Sequence, residues 1–203
     1  CSLVLSGGSS PRRLYELLAE PRFCSQLNWA KMHVFWSDER CVGPDDARSN
    51  YHVARTSLLQ HVPVPPGNIH RLPAELEPQQ AARKSSEDIR SFFAHQPSVS
   101  AFDLVLLGMG ADGHIASLFP GDEEALRAEE PVIATRAPEG MQVTQRLSMS
   151  LPLFASARTI IFIVYGRDKK KVLEQVLVGA PDAQQYPAAR FCARAGAQWL
   201  VAS

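Results

Sequence analysis

FDLVLLGMGADGH, Phe102 to His114, is the stretch on which the fold turns. Its opening residues form a short apolar run, which reads as a strand buried in a sheet. The run stops abruptly at Gly108 and gives way to glycines, an aspartate and a histidine. An apolar strand ending in a chemically loaded loop is the signature of an α/β sheet that holds its ligand beyond the strand ends.

The same grammar recurs on either side. SLVL (Ser2 to Leu5) is a short buried strand, followed by the turn Gly7 to Ser10 and a helix opened by Pro11, with Leu14, Leu17 and Leu18 at helical spacing. MHVFW (Met32 to Trp36) is a second strand, running into a polar loop from Ser37 to Ser49. Asn50 to Gln60 and Pro78 to Phe93 read as helices, the latter with Ala81, Ala82, Ile89, Phe92 and Phe93 on one side. Val132 to Thr135 and Val143 to Met149 read as strands, and Pro152 to Ala157 as a short helix. TIIFIV (Thr159 to Val164) is the most apolar strand, and Gly166 to Lys169 opens a helix carrying Val172, Leu173, Val176 and Leu177. Gln198 to Val201 closes the chain as a strand. Strands alternate with helices throughout, so the expected fold is α/β, a mainly parallel sheet with helices on both faces.

Composition sets the outer bounds. The 203 residues are 45% hydrophobic and 21% charged, the balance of an ordinary globular domain, and the whole chain reads as one domain. Lys plus Arg and Asp plus Glu both number 21, which argues against broad electrostatic binding to nucleic acid or an anionic membrane and leaves room for a local basic pocket. No apolar run approaches the roughly 18–20 residues of a membrane span. The four cysteines, Cys1, Cys24, Cys41 and Cys192, form no CxxC, so neither a structural metal nor a disulfide framework is expected, and a reduced, cytoplasmic setting is the default. The abrupt start on an apolar strand suggests that a segment precedes Cys1.

Three segments at strand ends carry the chemistry. Gly7 and Gly8 let the backbone approach a ligand, the following helix points free N–H groups at the turn, and Ser9 and Ser10 add hydroxyls. That suits a phosphate; an ordinary helix start with Ser10 as cap has the same appearance. In Asp38-Glu39-Arg40, Arg40 offers a fixed fork of donors for a phosphate or a polarised oxygen, and Asp38 suits sugar hydroxyls or proton movement. Ser49 and Asn50 either cap the next helix or reach the ligand. Gly108 to Gly113 formally matches GxGxxG, yet Pro120 and Gly121 cut any following helix short, which ranks nicotinamide binding below sugar-phosphate chemistry. His114, just past a strand end and beside Asp112, is a candidate general base. Arg146 and Lys169 are candidate phosphate cations.

Together LSGGSSP (Leu5 to Pro11), SDERCVGPDDARSNY (Ser37 to Tyr51), GMGADGHIASLFPG (Gly108 to Gly121), QRLSMSLP (Gln145 to Pro152) and the GRDK ending at Lys169 resemble the 6-phosphogluconolactonase family over almost the whole chain. That family usually has a further strand and helix ahead of the region matched by LSGGSSP. The resemblance implies hydrolysis of 6-phospho-D-glucono-1,5-lactone in the pentose phosphate pathway, with no metal and no cofactor. It further implies that His114 activates water and Asp112 supports its imidazole. The Gly7 to Ser10 turn with Arg40, Arg146 and Lys169 would bind phosphate or the oxyanion, and Asp38 and Asn50 would face sugar hydroxyls. The related glucosamine-6-phosphate deaminases carry an acidic residue five positions past the histidine and a Tyr after Asp-Glu; Phe119 and Arg40 stand there instead. A carboxylate that drives ring opening has no substitute in Phe, so lactone hydrolysis is expected over amine release. The rival classes are a deaminase-like enzyme, a sugar-phosphate sensor that binds without turnover, and a nicotinamide oxidoreductase.

Overall fold

A computed structural model describes residues 1–96 and 100–202, and within these it leaves the side chains of Ser9, Ser10 and Pro181 undescribed. The elements in chain order are β1 (Ser2–Leu5), α1 (Ser9–Ala19), α2 (Pro21–Cys24), β2 (His33–Trp36), β3 (Asp38–Arg40), α3 (Asn50–Ala54), β4 (Ile69–His70), α4 (Pro78–Ala94), β5 (Leu104–Leu107), α5 (Glu123–Arg127), β6 (Val132–Arg136), β7 (Gln145–Met149), α6 (Leu151–Ser156), β8 (Thr159–Tyr165), α7 (Lys170–Val178) and β9 (Ala197–Ala202). Short 3₁₀ turns join several of them, and a π-helical turn, Arg55–Leu59, continues α3.

The main sheet has the order β4-β2-β1-β5-β8-β9, and every neighbouring pair is parallel. The chain builds outward from β1 to β2 and β4, then crosses back to β5 and builds the other way. The reversal lies between β1 and β5, and a crevice opens there beyond the strands' carboxyl ends. All four residues of β1 are buried, as a strand covered on both faces requires. Coverage thins towards the far edge, where Leu200 and Val201 of β9 are 56% and 54% exposed. There Phe162 of β8 stacks on Trp199 at 4.0 Å and holds the edge strand in register.

A second sheet, β3-β7-β6, is antiparallel throughout. It hangs from the main sheet immediately after β2, where the Met149 N–H donates to the Ser37 carbonyl at 2.8 Å. Helix α4 packs against its β6 and β7 strands, and Ser86 Oγ exchanges hydrogen bonds with the Val132 backbone across that contact. Leu147 and Met149 of this sheet join the same core as Val4, Phe35 and Val105 of the main one.

The structure corrects three local expectations. Ser37 to Ser49 is not loop throughout, because Asp38 to Arg40 pairs with β7 as a strand. The first long helix starts at Ser9 with Gly8 as its cap, at φ 92°, a conformation that suits glycine; Ser10 is not the cap. Gly166 to Lys169 leads into a 3₁₀ turn, Arg167–Lys169, and α7 begins only at Lys170. Among the described residues no helix is long and apolar enough to cross a membrane.

Candidate active site

Four neighbouring strands of the main sheet end at one cleft. Gly7 and Gly8 follow β1, Asp38 and Arg40 follow β2 by way of Ser37, Gly108 to His114 follow β5, and Lys169 follows β8. The cleft has a volume of about 280 Å³ and is lined by Ser6, Gly7, Gly8, Pro11, Asp38, Arg40, Asn50, Gly108, Met109, Gly110, His114, Ala116, Phe119, Met141, Arg146 and Lys169. Eight sequence-predicted residues therefore meet there: Gly7, Gly8, Asp38, Arg40, Asn50, His114, Arg146 and Lys169. The Ser9 and Ser10 side chains lie outside the described part of the structure.

Asp112 stands behind His114. Its Oδ1 lies 2.6 Å from His114 Nδ1 and accepts the His114 backbone N–H at 3.2 Å. Burial pushes the Asp112 carboxyl up, but the hydrogen bonds and charge of His114 outweigh it, and the carboxyl is held below its ordinary value. An ionised carboxylate can only accept, so neutral His114 carries its proton on Nδ1 and a free lone pair on Nε2. No described residue bonds that second nitrogen. Phe119 packs at 4.7 Å between ring centroids and limits how the imidazole can turn.

The loop around His114 is tightly made. A Cβ at Gly110 would sit 2.2 Å from His114 Nδ1 and 2.5 Å from Asp112 Oδ1, so glycine is needed for the pair to form. Ala116 takes a positive φ of 49° in the turn joining Ile115 to Leu118. That turn brings Ser117 Oγ to donate to Asp38 Oδ2 at 2.7 Å and so ties the loop to β3. The run Gly108 to Gly113 opens no helix; the next helix, α5, starts at Glu123. A pyrophosphate would therefore find no helix N-terminus there, which removes the physical basis of the nicotinamide reading.

Opposite the loop stand the cations. Arg40 and Arg146 are direct partners in the β3–β7 register. Arg146 is buried, and both desolvation and the Arg40 charge hold its guanidinium below its ordinary value. Arg146 Nε donates to the Val143 carbonyl and Arg40 Nη1 to that of Arg48. Neither arginine, nor Lys169, forms an ion pair within 4 Å among the described residues. A larger cleft of about 580 Å³ at the β4 edge contrasts with this, because its Arg71 and Lys84 already pair with Glu75 and Asp88. Positive charge that forms no ion pair, placed beside glycine turns, suits an anion better than charge already paired.

Asp38 is buried and engaged by Ser37 Oγ, Asn50 Nδ2 and Ser117 Oγ. Asn50 also donates to the Asp38 carbonyl, whereas its Oδ1 is buried without a partner and lies 1.9 Å from where a Gly7 Cβ would stand. Ser49 does cap α3, accepting the His52 N–H, so capping and ligand approach fall to adjacent residues. Cys41 follows Arg40, but burial and the Glu39 charge push its thiol up to about 11, so it stays protonated and un-nucleophilic at neutral pH. Sequence reasoning missed Met141, Ala116 and the link through Ser117; Met141 stands in no quoted motif, and Ala116 and Ser117, though inside Gly108 to Gly121, are residue types with no chemistry to single them out.

Comparison with known proteins matches residues 1–200 to the family described as glucosamine-6-phosphate isomerases/6-phosphogluconolactonase. A 6-phosphogluconolactonase of Synechocystis sp. is 39% identical over 205 residues, covering 98% of this chain and 81% of that protein. The solved 6-phosphogluconolactonase of Thermotoga maritima superposes with a TM-score of 0.83 at 30% identity, covering 100% of this chain and 85% of that one. A monomeric glucosamine-6-phosphate deaminase has a TM-score of 0.84 at only 18% identity, covering 98% of this chain and 84% of that one, a likeness of fold alone.

Proposed function

Because the chain belongs to the glucosamine-6-phosphate isomerases/6-phosphogluconolactonase family, we propose that it hydrolyses 6-phospho-D-glucono-1,5-lactone to 6-phosphogluconate by the following use of its cleft. The lactone's phosphate and its developing oxyanion are shared among Arg40, Arg146, Lys169 and the N-terminus of α1 at Gly7 and Gly8. Asn50 and Asp38 meet the sugar hydroxyls. A water sits between His114 Nε2 and the lactone carbonyl carbon. The imidazole takes a proton as the water oxygen bonds to that carbon, and a cation receives the charge pushed onto the carbonyl oxygen. Collapse of the tetrahedral intermediate breaks the bond to the ring oxygen, which takes the proton back from the imidazolium. The products are a carboxylic acid, which ionises, and a free hydroxyl.

A lactone is an activated ester, so positioned water, a base and an oxyanion partner suffice without a covalent nucleophile. The observation that carries the reading is the His114–Asp112 pair, 2.6 Å apart, in one cleft with three cations that form no ion pair within 4 Å among the described residues. Phe119 in the position of the deaminase's acidic residue favours the lactone over the amino sugar, since an apolar ring packed on His114 cannot move protons. The test is proton release from freshly prepared phosphogluconolactone, corrected for spontaneous hydrolysis, with glucosamine 6-phosphate beside it. Enzyme-dependent proton release from the lactone alone is expected; ammonia release from the amino sugar would overturn the reading.

A further inference from the structure

Glu39 is the most deeply engaged charged group that the proposed mechanism leaves unused. It lies between Asp38 and Arg40 on β3, is not among the residues that line the cleft, and is 2% exposed. Its two oxygens accept four hydrogen bonds. Oε1 takes the backbone N–H of Arg40 and of Asn50, both at 2.7 Å. Oε2 takes the Tyr51 N–H at 2.8 Å and the Ser49 hydroxyl at 2.9 Å. Three of these donors belong to the start of α3, where the first N–H groups have no partner within the helix. Even with its π-helical continuation to Leu59, the helix these donors open is short and has little hold on its own geometry. The carboxylate therefore does more than satisfy itself: it fixes where the helix begins.

That beginning matters because Asn50 is its first residue. With its backbone N–H on Glu39 and its side-chain Nδ2 on Asp38, Asn50 is clamped at both ends. The clamp leaves one polar atom over, the buried and unpartnered Oδ1, held against Gly7, and both residues line the cleft. A buried acceptor without a partner costs free energy that a ligand's donor would recover. We propose that Glu39 is a positioning residue whose carboxylate, by pinning the first turn of α3, aims Asn50 Oδ1 at a hydroxyl of the bound sugar. The inference rests on the lactone-hydrolase reading above and adds to it the group that sets ligand affinity from behind the site.

The experiment compares wild type with Glu39→Gln on the same lactone preparation, reading KM, kcat, its pH profile, and the Kd of 6-phosphogluconate. Gln keeps the shape but puts an amide N–H₂ where an oxygen accepted two donors. The expected result is KM and product Kd raised about tenfold, the loss of one well-placed hydrogen bond, with the pH profile of kcat unchanged because His114 is untouched. Placing the same change in an Asn50→Ala background separates positioning from general loosening: Glu39→Gln should then add little, since the residue it aims is gone. Should Glu39→Gln fail to fold, Ser49→Ala removes one of the four donors, and a KM rise of about threefold is expected. KM and product Kd unchanged in a folded variant, or full additivity with Asn50→Ala, would overturn the inference. Wild type inactive on the lactone would instead overturn the reading beneath it.

Discussion

The two sheets reach the same cleft by different means. The parallel sheet contributes through its strand ends: glycine turns after β1 and β5, and His114 on the loop that β5 feeds. The antiparallel sheet contributes through side chains along its strands, setting Arg40 opposite Arg146 by register. The parallel sheet supplies the glycine turns, His114 and Lys169 from its strand ends, and the antiparallel sheet supplies Arg40 and Arg146. A site divided in this way should separate in its kinetics: damage to the first should lower turnover, and damage to the second should first weaken the hold on an anion.

The largest expected effect short of replacing His114 comes from Gly110→Ala. Its Cβ would stand 2.2 Å from His114 Nδ1, so the ring must move, and misplacement on the scale of an ångström costs about a hundredfold in turnover. A Gly110→Ala enzyme with wild-type kcat would break the comparison. On the other sheet, Arg146→Met keeps much of the packing and removes the charge. Loss of a charge-assisted hydrogen bond, about 1.5–3 kcal/mol, should lower kcat/KM by roughly 10- to 150-fold. If the loss falls in KM, Arg146 holds the phosphate; if it falls in kcat, it meets the oxyanion. No loss in either would detach the small sheet from the site.

The smallest expected effect lies far from the cleft. At the β4 edge, His33 Nδ1 lies 3.0 Å from His70 Nε2, and His70 stacks on Phe35 at 4.3 Å. Burial first, and the His33 charge second, hold His70 below its ordinary value of 6.5, with Asp88 opposing. A group depressed in the fold binds more protons when unfolded. Its contribution is therefore present above about pH 6.5 and is lost as pH falls through the lowered value. Between pH 7 and 5 the Tm should fall, and His70→Phe, which keeps the stack and removes the titration, should flatten that fall. An equal fall in both proteins would show that this edge does not report acid stress.

The same division explains what could be read in advance. Strands such as Leu104 to Leu107 and Thr159 to Val164 announce themselves because a parallel strand packed between layers is an almost continuous apolar run. The glycines and His114 are legible for a related reason, since each stands in one contiguous segment directly after such a strand. β3 is illegible because its residues, Asp38, Glu39 and Arg40, are all charged and show no apolar alternation. They are charged because they serve the cleft and the start of α3, and not the core. The pairing of Arg40 with Arg146 is set by a register between distant segments, which no local pattern encodes. Gly8 hid its capping role because two serines with better capping chemistry follow it.

The central claim, a histidine base served by a separately built anion site, meets its most direct test in His114→Ala, with turnover and 6-phosphogluconate affinity measured on one preparation. Loss of a positioned base should lower kcat about 10²- to 10⁴-fold while the Kd for the product stays within about threefold of wild type. A variant that keeps turnover within tenfold, or that loses product binding along with it, would contradict the account.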